Sequence, residues 1–191
     1  MRLTGGQGRG RRLTAAALRG VRPTSARVRE ALFDILGARV AGAGFLDLFA
    51  GTGAVGIEAL SRGAGRVVFV EGDARAARVI ATNVRDAGLP GSMSVIESEA
   101  IRALDRLSAA GELFAIVFLD PPYAAGAPPE ILDRSAALVA PGGVLVVEHG
   151  GRRGAQGIGA PAGLRSGRRY RYGDSRLSVF HRDPPDTGRR G

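Results

Sequence analysis

The segment Asp120-Pro121-Pro122-Tyr123 combines an acid, two prolines and an aromatic ring directly after a fully apolar stretch. The Asp120 carboxylate and the Pro121 carbonyl can accept hydrogen bonds from the two hydrogens of an exocyclic amine on an aromatic ring. Such contacts draw the nitrogen toward tetrahedral geometry and expose its lone pair, while Tyr123 stacks on the ring. Consecutive prolines restrict the backbone, so both acceptors keep their positions. The motif therefore predicts a site that activates an aromatic amine through positioning and fixed electrostatics.

A glycine-rich segment, Gly51-Thr52-Gly53, opens a G-x-G-x-x-G pattern that is completed at Gly56. Glycines let a ligand approach the backbone closely, and the N-terminus of the following helix offers free N–H donors. Glu71 is expected at the end of the next strand, where a carboxylate binds ribose hydroxyls. The pattern alone is compatible with a dinucleotide or with S-adenosylmethionine.

Asp47, four residues before the first glycine, favours S-adenosylmethionine. A carboxylate repels a pyrophosphate, but it attracts the α-ammonium group of the methyl donor. The alternative interpretation is a buried acid that caps the turn after its strand. Glu99 and Ala100 follow the third predicted strand, where adenine is expected, and Glu99 is predicted to accept a hydrogen bond from the adenine amino group. A solvated Glu that opens a helix is the alternative there.

Short apolar segments alternate with helix-length segments through the middle of the chain. The predicted strands are 45–49, 66–70, 93–96, 114–119 and 144–147, and the predicted helices are 24–36, 54–62, 73–87, 101–107 and 129–139. This alternation predicts an α/β fold with a parallel sheet covered on both faces. Residues 1–20 form a Gly- and Arg-rich arm, either a short hairpin or a loop that orders on its partner. Segments 169–172 and 177–181 are predicted to form a hairpin.

The net charge of +9 is unevenly distributed, and arginine supplies every basic residue. Residues 1–40 carry nine Arg and two acids, residues 41–148 carry eight Arg and thirteen acids, and residues 149–191 carry ten Arg and three acids. Basic ends around an acidic middle predict a polyanion-binding surface attached to a catalytic core. GC-rich codon bias explains the preference for arginine over lysine, but it does not explain this segregation.

Several classes of site and location are disfavoured. Cysteine is absent, which excludes disulfides and a thiol nucleophile, and only two histidines are present, so no metal is expected. No apolar stretch approaches the roughly 18 residues needed to span a bilayer, and the first 20 residues lack the apolar core of a secretory signal. The expectation is a cytoplasmic protein that does not associate with membranes.

Taken together, these motifs resemble the RsmD family, bacterial methyltransferases of guanine N2 in small-subunit (16S) ribosomal RNA. The likeness covers about residues 6–182. The likeness rests on five segments, of which the two N-terminal ones are the more specific. The segments are Gly8-Arg9-Gly10-Arg11-Arg12-Leu13, residues 22–33 from Arg22-Pro23-Thr24 onward, residues 46–53, residues 120–123, and Tyr172-Gly173-Asp174-Ser175.

The resemblance implies a Rossmann-like class I S-adenosylmethionine-dependent methyltransferase fold, with strand order 3-2-1-4-5-7-6 and an antiparallel last strand. It implies that a cofactor site is formed by Asp47, Gly51, Thr52, Gly53, Glu71, Glu99 and Ala100. It also implies that the guanine amine is held by Asp120, Pro121, Pro122 and Tyr123, and that RNA is contacted by Arg9, Arg11, Arg12, Arg22 and Arg27.

The implied organisation is an RNA-binding extension over 1–40, a methyltransferase domain over 41–182 and a disordered tail over 183–191. The implied partner is 16S rRNA within the small ribosomal subunit or its assembly intermediate, bound by a monomer. Alternatives are a DNA adenine-N6 methylase, a glutamine-N5 methylase of release factors and a non-catalytic RNA-binding assembly factor. Asp120 disfavours the glutamine enzyme, which usually has Asn at that position, and the chain has no room for the added target-recognition domain of a DNA enzyme.

Overall fold

A seven-stranded sheet forms the centre of the computed structural model, which describes residues 1–14, 24–122, 127–150 and 158–185. The strands are β1 Gly44–Leu48, β2 Arg66–Glu71, β3 Ser92–Glu97, β4 Phe114–Leu119, β5 Val139–Gly150, β6 Arg165–Tyr172 and β7 Ser175–His181. Their order is β3-β2-β1-β4-β5-β7-β6. Strands β1 to β5 pair in parallel, and β7 is antiparallel to both of its neighbours. The predicted strand order is therefore confirmed.

In the described part of the chain, five α-helices cover the two faces of the sheet. They are α1 Ala26–Leu36, α2 Ala54–Ser61, α3 Ala74–Ala87, α4 Ala100–Ala109 and α5 Pro129–Ala137, and a 3₁₀ turn, Gly37–Val40, follows α1. Helices α1, α2 and α3 contribute to one buried apolar cluster, and α4 and α5 contribute to the other. Neighbouring strand residues alternate between the clusters, as Phe45 and Leu46 do, because side chains point to opposite faces of a strand. Among the described residues no helix combines the length and apolarity that a membrane span requires.

Local signals in the sequence account for where the helices begin. The Ser25 side chain accepts a hydrogen bond from the Val28 N–H at 3.2 Å and caps α1, as the Thr24-Ser25 pair predicts. Asp73 caps α3 through the N–H groups of Arg75 and Ala76. Strand β5 is much longer than the predicted segment 144–147, because its first residues continue the pairing with β4 at Val139.

The first fourteen residues form a hairpin, which is one of the two forms predicted for the N-terminal arm. The Leu3 N–H donates to the Arg11 carbonyl at 3.1 Å, and the Gly10 N–H donates to the Leu3 carbonyl at 2.9 Å. Leu3 and Leu13 are buried in the same apolar cluster as α1, α2 and α3. The N-terminal extension therefore shares its core with the sheet.

Buried polar side chains attach this hairpin to α2. Glu58 is fully buried and accepts hydrogen bonds from the Thr4 N–H at 2.9 Å, the Thr4 hydroxyl at 2.6 Å and the Arg62 guanidinium at 3.0 Å. Arg29 of α1, also buried, lies 3.8 Å from the same carboxylate. Glu58 therefore joins the N-terminal hairpin, α1 and α2 at one point.

At the other end of the chain, order extends past the predicted boundary at residue 182. Asp183 accepts a hydrogen bond from the Arg165 side chain at 2.5 Å, and its carbonyl accepts one from the Gly142 N–H at 3.3 Å. Residues 186–191 of the predicted disordered tail lie outside the described ranges.

The Glu58 contacts generate a stability prediction. Replacing Glu58 by Gln leaves the buried charge of Arg29 and the partly buried charge of Arg62 without their partner, so the free energy of unfolding should fall by about 3 kcal/mol. Chemical denaturation of the purified variant measures this loss. Glu112→Gln is the matched control, because its ion pair with Arg66 is partly exposed and should be worth less than about 1 kcal/mol. Equal losses in the two variants would show that Glu58 is not a structural anchor.

Candidate active site

A cavity of about 590 Å³ opens at the carboxyl ends of the parallel strands. This volume lies in the range of roughly 300–1,000 Å³ that is typical of small-molecule sites. The location is also the one at which open α/β sheets bind ligands. The cavity is lined by Thr24, Ser25, Arg27, Val28, Phe49, Ala50, Gly51, Thr52, Ala54, Val55, Glu71, Asp120, Pro121, Pro122, Glu148, His149, Tyr172, Gly173, Asp174 and Ser175.

The loop between β1 and α2 forms one wall of this cavity. Phe49, Gly51 and Gly53 have φ values of 66°, 57° and 76°, so three of five consecutive residues adopt left-handed backbone conformations. Phe49 is the one non-glycine residue with positive φ in the described part of the chain. Such conformations cost on the order of 1–3 kcal/mol for a side chain like that of Phe, and they cluster at ligand sites. Gly51 and Thr52 line the cavity, whereas Gly53 is the N-cap of α2 and does not line it; the role of all three toward a cofactor stays a prediction.

Asn83 of α3 fixes the same loop from behind. This buried amide donates to the Thr52 carbonyl at 3.0 Å. It also donates to the Thr14 carbonyl at 3.1 Å and accepts from the Thr14 N–H at 2.7 Å. One side chain therefore connects the N-terminal hairpin to the glycine-rich loop.

Glu71 is positioned as the sequence predicts, at the end of β2 and on the cavity wall. Its two carboxylate oxygens accept hydrogen bonds from the Gly51 N–H at 2.7 Å and the Asp73 N–H at 2.9 Å. These contacts hold the carboxylate in register with the glycine-rich loop. Further lone pairs on both oxygens remain for the hydroxyls of a ribose.

Asp47 lies behind the cavity wall instead of on it. It is only 1% exposed, and its carboxylate accepts a hydrogen bond from the Gly56 N–H at 2.8 Å. Burial raises the pKa of Asp47 to about 7, with smaller increases from Asp120 and Glu71, although the Gly56 hydrogen bond opposes the shift. The structure thus shows the turn-capping contact, and the predicted contact with a cofactor ammonium stays a prediction.

Asp120 directly follows β4 and lies on the cavity wall with Pro121 and Pro122. Burial raises its pKa to about 6, and a hydrogen bond from the Thr24 hydroxyl to Oδ2 at 3.0 Å opposes this shift. Thr24 immediately precedes the cap of α1, so the entry to that helix holds one oxygen of the predicted catalytic acid.

Three carboxyl groups therefore end adjacent strands at one place: Asp47 on β1, Glu71 on β2 and Asp120 after β4. Within the described ranges they do not form a group suited to a metal ion. Their combined field favours a cationic organic ligand and opposes a pyrophosphate.

The adenine contact is not apparent in this cavity. Glu99 is exposed at the N-cap of α4, Ala100 is buried in the first turn, and neither lines the cavity. The Glu99 carboxylate instead lies beside Gly72, the first residue of the connection between β2 and α3. Its predicted role toward adenine stays a prediction.

The predicted RNA contacts occupy two places, and two predicted site residues fall outside the description. Arg27 lines the cavity, while Arg9, Arg11 and Arg12 are exposed on the N-terminal hairpin. Arg11 also donates a hydrogen bond to the Ala87 carbonyl at the end of α3, so part of its role is structural. Tyr123 and Arg22 lie outside the described residues.

Several cavity residues belong to none of the motifs that predict the site. The sequence predicts a helix cap at Thr24 or Ser25, and none of its motifs assigns Glu148 or His149 to the cavity. The His149 ring is hydrogen-bonded to the Ser178 hydroxyl at 2.9 Å, and burial lowers its pKa, so the ring is neutral at neutral pH. Glu148 and His149 directly follow the predicted apolar strand 144–147, and this position is the signal that identifies them, because carboxyl strand ends meet at the ligand edge.

Comparisons with known proteins identify the family of this chain. The model of the family described as Conserved hypothetical protein 95 matches residues 1–181. The putative rRNA methyltransferase YlbH of Bacillus subtilis is 40% identical over 123 residues, which is 64% of this chain and 67% of the relative. The ribosomal RNA small subunit methyltransferase D of Escherichia coli K12 is 40% identical over 126 residues, which is 66% of this chain and 62% of the relative. The chain thus spans about two thirds of the curated relatives that it matches.

A solved structure extends the similarity over nearly the whole chain. The putative methyltransferase yhhF from Escherichia coli superposes with a TM-score of 0.80 at 31% identity, covering 96% of this chain and 98% of that one. The predicted resemblance to the RsmD methyltransferases is therefore confirmed, and the chain has a class I S-adenosylmethionine-dependent methyltransferase fold. The chain belongs to the family described as Conserved hypothetical protein 95.

Proposed function

We propose that the protein transfers the methyl group of S-adenosylmethionine to the exocyclic N2 of a guanine in small-subunit ribosomal RNA. The observation that carries this proposal is the shared cavity: Asp120 and its two prolines face the same space as Gly51 and Glu71. A cofactor wall and an amine-binding motif on one cavity are what a transfer between two bound molecules requires. The names of the curated relatives, both rRNA methyltransferases, support the choice of RNA.

The charge of the cavity supports S-adenosylmethionine as the methyl donor. When bound, it supplies an electrophilic methyl group on a sulfonium centre, and it also carries an α-ammonium group. Burial raises the pKa of Asp47 to about 7 and that of Asp120 to about 6, so a cationic ligand in the cavity would stabilise the ionised form of both carboxyl groups. Glu71 and the glycine-rich loop would hold the ribose and the methionine part, respectively.

Asp120 would prepare the guanine amine for attack. The exocyclic nitrogen is a poor nucleophile because its lone pair is delocalised into the purine ring. One Asp120 oxygen is held by Thr24, so the other can accept an amine hydrogen while the Pro121 carbonyl accepts the second. Formation of the new N–C bond would break the methyl–sulfur bond of the donor and leave S-adenosylhomocysteine. The methylated nitrogen would then be cationic and acidic, and its proton would pass to Asp120 or to water. The acceleration comes from placement and preorganised charge rather than from a strong base.

The surrounding arginines suit an RNA substrate. Arg27 lies at the cavity, and the exposed Arg9 and Arg12 extend the positive charge along the N-terminal hairpin. A guanine inside a helix cannot reach such a cavity, so the target has to be unpaired or flipped out. We propose that the protein acts as a monomer in the cytoplasm, on 16S rRNA in the small subunit or in its assembly intermediate.

Removing the Asp120 carboxylate tests the proposed chemistry. Asp120→Ala should lower turnover by about 10²–10⁴-fold, because the amine loses its acceptor. The affinity for S-adenosylmethionine, measured by calorimetry, should stay within a few-fold of wild type. Asp86→Ala, on the exposed side of α3, is the control and should retain normal turnover. Wild-type turnover by Asp120→Ala would overturn the assignment of the acceptor.

The raised pKa of Asp120 predicts a pH profile. Because the ionised carboxylate is the active form, kcat/KM should rise with pH through about 6 and then level off. Thr24→Val removes the hydrogen bond that lowers this pKa, so the midpoint should move to higher pH, whereas Thr24→Ser should keep it in place. Identical midpoints in wild type and Thr24→Val would show that another group controls the rate.

The arm arginines predict a change in the salt dependence of RNA binding. In Arg9→Ala/Arg12→Ala, each lost phosphate contact should reduce the slope of log K against log salt concentration by roughly 0.7–0.9. Arg11 is left unchanged in this variant because it also supports the end of α3. An unaltered slope, measured by fluorescence anisotropy, would remove the hairpin from the RNA surface.

A further inference from the structure

A second recess lies at the opposite end of the sheet from the cavity. It measures about 190 Å³ and is formed where the end of α1 and the following 3₁₀ turn meet the outer strands. Its lining consists of Ile35, Leu36, Arg39, Val144, Arg168, Tyr170, Val179 and His181. The floor is apolar. Apart from Tyr170, the titratable side chains at the rim are Arg39, Arg168 and His181, and all three are basic.

An irregularity in β6 builds this recess. The pairing of β6 with β7 shifts between Ser166 and Arg169, so one extra residue is inserted on β6. Bulges of this kind re-aim a side chain. A Cβ atom at Gly167 would lie only 2.6 Å from His181 Nε2, so a residue without a side chain is needed for the ring to pack there. The bulge thus places His181 against the β6 backbone and directs Arg168 into the recess.

The charges around the recess are suited to an anion. None of the described residues that line it is acidic. The nearby Asp183 forms an ion pair with Arg165 at 2.5 Å, which compensates its charge. Arg39 donates one hydrogen bond to the Gly142 carbonyl at 3.2 Å, which fixes the guanidinium and leaves other N–H groups available. Arginine binds phosphate through this planar array of donors.

We propose that this recess binds a backbone phosphate of the RNA substrate, with Arg39 and Arg168 as the cationic donors and His181 as the hydrogen-bonding neighbour. The inference rests on the proposed function and adds a contact point that lies outside the catalytic cavity. Strand β6 leads from Arg168 to Tyr172, which lines that cavity. At about 3.3 Å per residue the two points are about 13 Å apart, so one RNA strand can occupy both.

Charged residues on an edge strand have another explanation, since they prevent unwanted pairing between sheets. Protection of an edge does not require a cation from a separate element, yet Arg39 lies in the turn after α1 and meets Arg168 from across the recess. Protection of an edge also does not require the bulge at Gly167 that lets the His181 ring pack against β6. Both features are accounted for by a bound anion.

The double variant Arg39→Ala/Arg168→Ala tests the proposal. Its control is Arg102→Ala/Arg106→Ala, which removes the same amount of charge from exposed positions on α4, on the other face of the sheet. The probe is a small-subunit rRNA transcript. In the recess variant the slope of log K against log salt concentration should fall by roughly 1.4–1.8, for two contacts at 0.7–0.9 each. We expect the KM for RNA to rise about tenfold or more at unchanged kcat, because the recess is remote from the transferred methyl group. The α4 variant should behave like wild type.

Equal effects of the two double variants would overturn the proposal, because net charge alone would then explain them. An unchanged slope in the recess variant would overturn it as well. Arg168→Gln repeats the test with one exposed side chain, should folding of the double variant be impaired, and S-adenosylmethionine affinity reports the fold in each case. Failure of the wild-type protein to methylate the transcript would count against the proposed function, which separates the two conclusions.

Discussion

The negative charge gathered at the carboxyl edge of the sheet is the constraint that organises this molecule. Asp47, Glu71 and Asp120 end three adjacent strands, and the free-energy cost of bringing them together is offset locally. Asp47 accepts from the Gly56 N–H, Glu71 from the Gly51 N–H, and Asp120 from the Thr24 hydroxyl. The pKa values of Asp47 and Asp120 remain raised, so the site still favours a cation. A sulfonium cofactor meets this requirement, and a pyrophosphate does not.

The basic N-terminal region and the cavity are built as one unit. Two threonines connect this region to the cavity. Thr14 is hydrogen-bonded to Asn83, which also donates to the Thr52 carbonyl, and Thr24 donates a hydrogen bond to Asp120. Glu58 fixes the hairpin to α2 from the other side. The hairpin proposed to bind RNA and the start of α1 are therefore joined by hydrogen bonds to the glycine-rich loop and to Asp120.

Sequence periodicity and strand-end motifs were sufficient to predict the α/β class, and the resemblance supplied the strand order. Motifs at strand ends located Gly51, Thr52, Glu71 and Asp120 on one edge, because parallel strands bring their carboxyl ends together. The sequence left the role of Asp47 open between a cofactor contact and a turn cap. The hydrogen bond that Asp47 accepts from the Gly56 N–H depends on how closely α2 approaches the sheet, which the sequence does not give. Nor could it bring Thr24 to Asp120, ninety-six positions away, because that contact follows from the packing of α1.

The proposed function is defined by the atom that receives the methyl group. The direct measurement is to react a small-subunit rRNA transcript with the protein and S-adenosylmethionine that carries a deuterated methyl group, and then to identify the labelled nucleoside by mass spectrometry. We predict a single product, guanosine labelled on its exocyclic N2. Label on a ring nitrogen, on a ribose hydroxyl or on adenosine would contradict a site in which a carboxylate and a carbonyl grip the guanine amine.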